Sequence, residues 1–386
     1  MKKICRICDG QLSSNILIAI KKAPASAQNF SKFKSKKSQI NLIAKECTYC
    51  GCVQLINKPV DYYKNVIRAV KFSPSMMKFR SQQLKKFVKK FNLKKKLAIE
   101  VGCGGGDYLK ILSRYIDSVY GLEYSKKNCI IAKKNNLKII RGFINNKNTK
   151  IYDKKFNAFF IFSYLEHIPN INQFLEGLYK TLDNKAVGII EVPNFEMILK
   201  KNLYSEFIID HIFYFTKVSL EFLLKKNNFK ILSSNFLWKK YILSIVVQKV
   251  QKNNNLLKKI KKRNLKFNYK SNILKVKKSF LNFINKYSKN NKIAVWGAGH
   301  QSLTLLSLVG LEKKIKYIVD SASFKQNKYA PGTNLKVVSP KEFLNDNIDA
   351  VIVIAAGYND EICKIIKKYK KKICIAKFNN NNLQKY

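Results

Sequence analysis

The sequence is poor in histidine, in acid and in long apolar runs. Only three histidines occur in 386 residues: His167, His211 and His300. Histidine is the side chain whose ordinary titration spans neutral pH, so proton transfer by an imidazole is confined to those three positions. Aspartate and glutamate together number 23, against 75 lysines and arginines, and the formal net charge is +52. Apolar runs such as YILSIVV at 241–247 fall far short of the roughly 20 residues that a membrane-crossing helix needs. No membrane span is therefore expected. The first ten residues, MKKICRICDG, have no apolar core of the secretory kind, and a cytoplasmic location is expected.

The positive charge has two readings. A gathered basic stripe would point to nucleic acid or an anionic surface. The lysines here are spread along strands, helices and loops alike, which reads as composition. A nucleic-acid partner is not expected, although the charge favours anionic small molecules. With 46% hydrophobic and 12% aromatic residues, the chain has ample material for packed cores, and its length suggests two or three domains.

Of nine cysteines, five lie near the start. CRIC and CTYC place Cys5, Cys8, Cys47 and Cys50 in two Cys-x-x-Cys pairs. Two such knuckles supply four thiolates to a tetrahedral zinc ion. Cys52 is the fifth and could stand in for Cys50. Residues 1–60 thus read as a small zinc-binding subdomain.

Residues 61–250 alternate between strand and helix patterns. LAIEVGCGGGDYLKILS is strand, glycine loop and helix, and SVYGLEYS, KIIRGFI, FNAFFIFSYLEHIP and AVGIIEVPN supply further strands. Such alternation implies a parallel, doubly wound sheet with its ligand at the carboxyl ends of the strands. Gly102 and Gly104, with Cys103 between them, let backbone approach a ligand at a helix start. Glu100 precedes that loop. Glu123 ends the second strand, where a carboxylate can accept ribose hydroxyls, and Tyr124 follows it. Residues 251–290 read as a helical linker. Residues 291–386 repeat the theme in smaller form: KIAVWGAGH carries Gly297, Gly299 and His300, a strand ends at Asp320, and another ends near Gly357.

EVGCGGG resembles the first motif of class I S-adenosylmethionine-dependent methyltransferases, and SYLEHIP, from Ser163 through His167, resembles the signature after that family's fourth strand. The cysteine module, this core and the second glycine-loop unit, in that order, resemble the sugar C-methyltransferases. APASAQNF at 23–30 and KQNKYAPGTNLKVVSP at 325–340 carry much of that resemblance. It implies an α/β protein: a class I methyltransferase Rossmann-like core, a zinc-binding N-terminal subdomain and a smaller C-terminal Rossmann-like domain. It implies S-adenosylmethionine as cofactor, held by Glu100, Gly102, Cys103, Gly104, Glu123, Tyr124 and Ser163, with structural zinc. It implies a nucleotide-linked keto-sugar, methylated at carbon through an enediolate. Asp210 and His211 would move the proton, and His167, Tyr214, Gly297, Gly299, His300 and Asp320 would meet the substrate.

The chain departs from that pattern in places. Ile208 stands where a tyrosine is looked for, RGFINNKN has no acid for the adenine amine, and WKKYILSIVVQ lacks a glycine-serine turn. O-methylation of a sugar or surface-polysaccharide precursor is the alternative. An RNA methyltransferase with a zinc module is less supported, because the fourth strand tip has neither N-P-P-Y nor cysteine. The intact glycine loop and Glu123 argue against a non-enzymatic binding protein.

Overall fold

The computed structural model describes residues 4–65, 73–252, 257–260, 265, 269–287, 292–355, 358–379 and 381–386. Gly357, the expected end of a C-terminal strand, lies outside the described residues. The fold divides into two compact units, and neither is continuous in sequence. The first contains residues 1–15, 45–197 and 211–264; the second contains 16–44, 198–210 and 265–386. The sequence reading groups residues 1–60 as one small zinc-binding subdomain. Instead, residues 16–44 belong with the C-terminal part of the chain. The physical reason is visible in the second unit's own packing, described below.

The first unit is built on a seven-stranded sheet. Its strands are Leu97–Val101 (β1), Ser118–Glu123 (β2), Ile139–Arg141 (β3), Phe156–Phe162 (β4), Leu182–Pro193 (β5), Phe229–Leu237 (β6) and Ile242–Lys249 (β7). They lie in the order β3-β2-β1-β4-β5-β7-β6. The first five run parallel, while β7 is antiparallel to β5 and β6 antiparallel to β7. The apolar run FNAFFIF explains why β4 is central: all but Asn157 of its residues are buried, as a strand covered on both faces requires. Helices Pro74–Lys90 (α1), Asp107–Leu112 (α2), Lys126–Lys134 (α3), Ile171–Thr181 (α4) and Lys217–Lys226 (α5) cover the sheet. Sequence punctuation fixes their starts. The Ser73 hydroxyl accepts the Met76 N–H ahead of α1, Ser125 caps α3, and Thr216 with Ser219 forms a reciprocal cap on α5. A short strand, Val53–Leu55, pairs antiparallel with Phe213–Tyr214.

The second unit holds a six-stranded sheet. The helix expected within the 251–290 linker runs Tyr269–Tyr287 (α6), but it belongs to this unit, with Val276, Phe280 and Ile284 in its core. Ile293–Trp296 (β8), His300–Val309 (α7), Tyr317–Val319 (β9), Val337–Val338 (β10), Pro340–Asn345 (α8), Ala350–Val353 (β11), Asn359–Tyr369 (α9), Cys374–Asn379 (β12) and Asn382–Lys385 (β13) follow. The order is β10-β9-β8-β11-β12-β13, parallel except for the last strand. An antiparallel pair, Ile18–Pro24 with Gln39–Glu46, packs into this unit through residues 18–24 and 39–44. Ser31 exchanges backbone hydrogen bonds with Tyr329, and the Gln39 amide donates to the Gly332 carbonyl at 2.7 Å. The two stretches that carry the family resemblance, 23–30 and 325–340, therefore share one unit, and Phe30 meets Phe324 edge to face.

Candidate active site

The turn after β1 is shaped by glycine. Gly102, Gly104 and Gly106 have φ of +72°, +57° and +89°, the left-handed region that glycine enters without a Cβ clash. At Gly102 a Cβ would also come within 2.5 Å of the Tyr164 ring. The Tyr164 ring thus occupies the space that the missing Cβ of Gly102 leaves.

Glu123, at the end of β2, folds back on this turn. Its two carboxylate oxygens accept the N–H of Gly104 at 2.9 Å and that of Ser125 at 2.7 Å. The Asn128 side chain and the Tyr124 backbone bond it as well, and since an ionised carboxylate offers about four acceptor positions, these bonds fix its orientation. Burial pushes the Glu123 carboxyl above its ordinary range, while the two N–H groups pull the other way. Cys103 turns inward and packs on Gly121, and burial raises its thiol well above the usual range. Its contribution to a ligand is therefore through backbone. Glu100 is buried in β1, whereas Tyr124 is exposed beside the turn. Ser163 sits just past β4 with φ +48° and donates its N–H to the Glu191 carbonyl at 2.8 Å. A non-glycine residue in that region marks local strain.

The short helical turn after β4 brings Glu166 and His167 beneath His211. The His167 and His211 rings meet edge to face, with centroids 4.7 Å apart. One ligand-type atom from each of Glu166, His167 and His211 lies within 4.8 Å of the others, and all three residues are buried. Backbone sets this register. The Ile212 N–H donates to the Glu166 carbonyl at 2.9 Å, and the Ile212 carbonyl accepts the Leu55 N–H at 2.9 Å. Tyr214 is also near, its ring centroid 6.3 Å from that of His211.

Asp210 and His211 are neighbours in sequence but belong to different units. The Asp210 carboxylate accepts the Ala27 N–H at 3.1 Å. Glu166 is the acid gathered with His211 in the first unit. SYLEHIP contained Glu166, but nothing in spacing ties it to a histidine 45 positions later. A second acid that the sequence hid is Glu191 of β5. It is fully buried, ion-paired with Arg80 of α1 and accepts from the Gln83 amide at 2.6 Å. Arg80 also lies 4.9 Å from the Tyr108 ring centroid. A lone arginine on the inner face of a basic helix was the available signal.

In the second unit, Asp320 repeats the Glu123 arrangement. One oxygen accepts the Ala298 N–H at 2.8 Å and the Lys325 ammonium at 3.1 Å; the other accepts the Ala322 N–H at 2.9 Å. Three internal donors hold this carboxylate, as several hold that of Glu123. Gly297 has φ +119°, and a Cβ there would strike the Ile354 carbonyl at 2.3 Å. Gly299 opens α7 with nothing within 4 Å of a would-be Cβ. His300 stands 3.7 Å from the buried Glu206 carboxylate, which also accepts from the Gln301 amide. Glu206 was not singled out from sequence.

The four expected zinc ligands converge in the first unit. Cys5 Sγ is 3.6 Å from Cys50 Sγ, and Cys8 Sγ is 3.4 Å from Cys47 Sγ, with all four sulfurs within 4.8 Å of one another. Tetrahedral zinc with bonds of about 2.3 Å puts its sulfurs roughly 3.8 Å apart, so the set fits. The Ile7, Tyr49 and Cys50 N–H groups point at the sulfurs of Cys5 and Cys47. The spare cysteine is settled too: Cys52 directs its thiol to the Val53 carbonyl and is not among the four. Among the described residues, no helix is long and apolar enough to cross a membrane.

The sheet order of the first unit, its glycine turn and the Glu123 carboxylate together define a class I S-adenosylmethionine-dependent methyltransferase. Residues 76–234 match the methyltransferase domain family, and residues 244–375 match the family described as the C-methyltransferase C-terminal domain. A curated relative, the ubiquinone biosynthesis O-methyltransferase of Pelagibacter ubique, is 30% identical over 198 residues, which is 50% of this chain and 74% of the relative. The chain belongs to the S-adenosylmethionine-dependent methyltransferases and carries the C-methyltransferase C-terminal domain. Solved structures with a similar fold include magnesium protoporphyrin IX methyltransferase from Synechocystis with bound SAH (15% identity, 49% of this chain and 94% of that one, TM-score 0.38). Another is a protein from Pyrococcus horikoshii (16% identity, 50% and 100%, TM-score 0.41).

Proposed function

We propose that this enzyme methylates carbon next to the ketone of a nucleotide-linked sugar. The match of residues 244–375 to the C-methyltransferase C-terminal domain carries the reading. Support comes from the histidine pair gathered in the catalytic unit. S-adenosylmethionine, held by the glycine turn, Glu123, Tyr124 and Ser163, would supply an electrophilic methyl group and depart as a neutral thioether. The ketone acidifies the adjacent C–H. His211 takes that proton, and the C–H electron pair becomes the enediolate double bond, whose carbon then attacks the methyl group. Close rings of His167 and His211 allow the imidazolium charge to be shared, and Glu166 stabilises it. Asp210 positions the preceding backbone through Ala27. Gly297, Gly299 and His300 are proposed to meet the nucleotide moiety through backbone N–H groups. Structural zinc at Cys5, Cys8, Cys47 and Cys50 completes the assignment.

Exchange of the substrate C–H for deuterium, followed by NMR in deuterated water without methyl donor, tests this. Exchange is expected with wild type and is lost in His211→Asn. O-methylation is the second reading, favoured by the name of the curated relative. It requires no carbon deprotonation, so methyl transfer with no exchange would select it.

A further inference from the structure

We propose that Glu166, His167 and His211 form a second transition-metal site, separate from the four-cysteine cluster, and that an ion seated there inhibits proton transfer. Four observations lead there. Two imidazoles and one carboxylate bring one ligand atom each to within 4.8 Å of the others. That donor set, two histidines and a carboxylate, suits divalent iron, nickel, cobalt and zinc, and differs from an all-thiolate site. All three groups are buried, Glu166 to 1% exposure. An ionised carboxylate so far from water is stabilised by positive charge beside it, which the two imidazoles supply either by holding a proton or by sharing a cation. Finally, the two loops are fixed against each other by the bond from Ile212 N–H to the Glu166 carbonyl and by the bond from Leu55 N–H to the Ile212 carbonyl. A preorganised donor set loses little entropy when an ion arrives.

The inhibitory half follows from lone-pair bookkeeping. A neutral imidazole has one basic nitrogen. The lone pair that would accept a substrate proton is the one that would bind the ion, so the two uses exclude each other at His211. This half rests on the proposed base role of His211; the binding half does not.

The test uses full-length chain with zinc already in its cysteine cluster, titrated with Co(II). Thiolate ligation gives intense ultraviolet charge-transfer bands, whereas a histidine–carboxylate site gives only weak visible bands. One further equivalent with the weak spectrum is expected. Glu166→Gln, His167→Asn and His211→Asn should each weaken it by about ten-fold or more, with S-adenosylmethionine affinity as the check on folding. No further equivalent in wild type, or equal affinity in all three variants, overturns the site. With Co(II) seated, substrate C–H exchange should stop. Exchange that continues unchanged overturns the inhibition and leaves the site standing. Absence of exchange in the Co(II)-free enzyme counts against the keto-sugar reading and leaves the metal count intact.

Discussion

Glu123 reaches back from the end of its strand and accepts the backbone N–H of Gly104 at 2.9 Å. That bond ties the carboxylate proposed to face the ribose to the loop proposed to cradle the rest of the cofactor. Glu123→Ala should therefore weaken S-adenosylmethionine by about 1.5–3 kcal/mol, the range for hydrogen bonds to a charged group, read by calorimetry. Unaltered affinity would remove Glu123 from the site.

The same carboxylate predicts a pH dependence. Its pKa is raised by burial, so the folded apo state holds this proton to a higher pH than the unfolded chain. Its contribution to stability is then greatest at acidic pH and is lost as pH rises through the shifted value. Cofactor binding runs oppositely, because only the ionised form accepts two hydroxyls. Affinity should fall on acidification through that pKa, and Glu123→Gln should flatten the profile.

Gly102 and Gly104 separate two effects. Gly102→Ala adds a Cβ 2.5 Å from the Tyr164 ring to a φ of +72°; Gly104→Ala has φ +57° and nothing within 4 Å. Gly104→Ala should cost about 1–2 kcal/mol from the left-handed backbone alone. Gly102→Ala should cost more and distort the turn. Thermal melts with and without cofactor give both numbers.

Cys47→Ser should release one zinc equivalent and lower the melting temperature. Cys52→Ser should leave the zinc count at one, since its sulfur is outside the cluster. Mass-spectrometric metal analysis distinguishes them, and zinc loss in the Cys52 variant would contradict the ligand set.

Between β6 and β7 the chain places Trp238, Lys239 and Lys240 in succession at φ of +49°, +57° and +66°. Three left-handed non-glycine residues store strain. Lys239→Gly should raise stability by up to about 1 kcal/mol, which in a chain this long shifts the melting temperature by a few degrees. A lower melting temperature would show that the Lys239 side chain contributes more than the strain it imposes.

What could be read from sequence was local. The glycine turn, Glu123 and the four cysteines are marked by spacing within a few residues, and local physics dictates them. The strand-helix alternation was equally legible, because apolar periodicity changes where the chain changes element. Long-range pairings were not. Nothing in the neighbourhood of His211 announces Glu166 and His167, and nothing in APASAQNF announces that Ala27 will meet Asp210. Arg80 and Glu191 are separated by 111 positions and buried together, a pairing only the folded sheet creates. Likewise, the bonds that Lys325 and two backbone amides make to Asp320 join positions that sequence alone did not link.

The interleaving of the two units has a consequence for how this protein can be divided. Their boundaries fall at 15/16, 44/45, 197/198, 210/211 and 264/265. A gene fragment encoding 61–250 would omit every cluster cysteine and would carry 198–210 without the rest of its unit. No single pair of cuts releases either half intact. Expressing either half alone therefore requires joining three separate stretches of the chain.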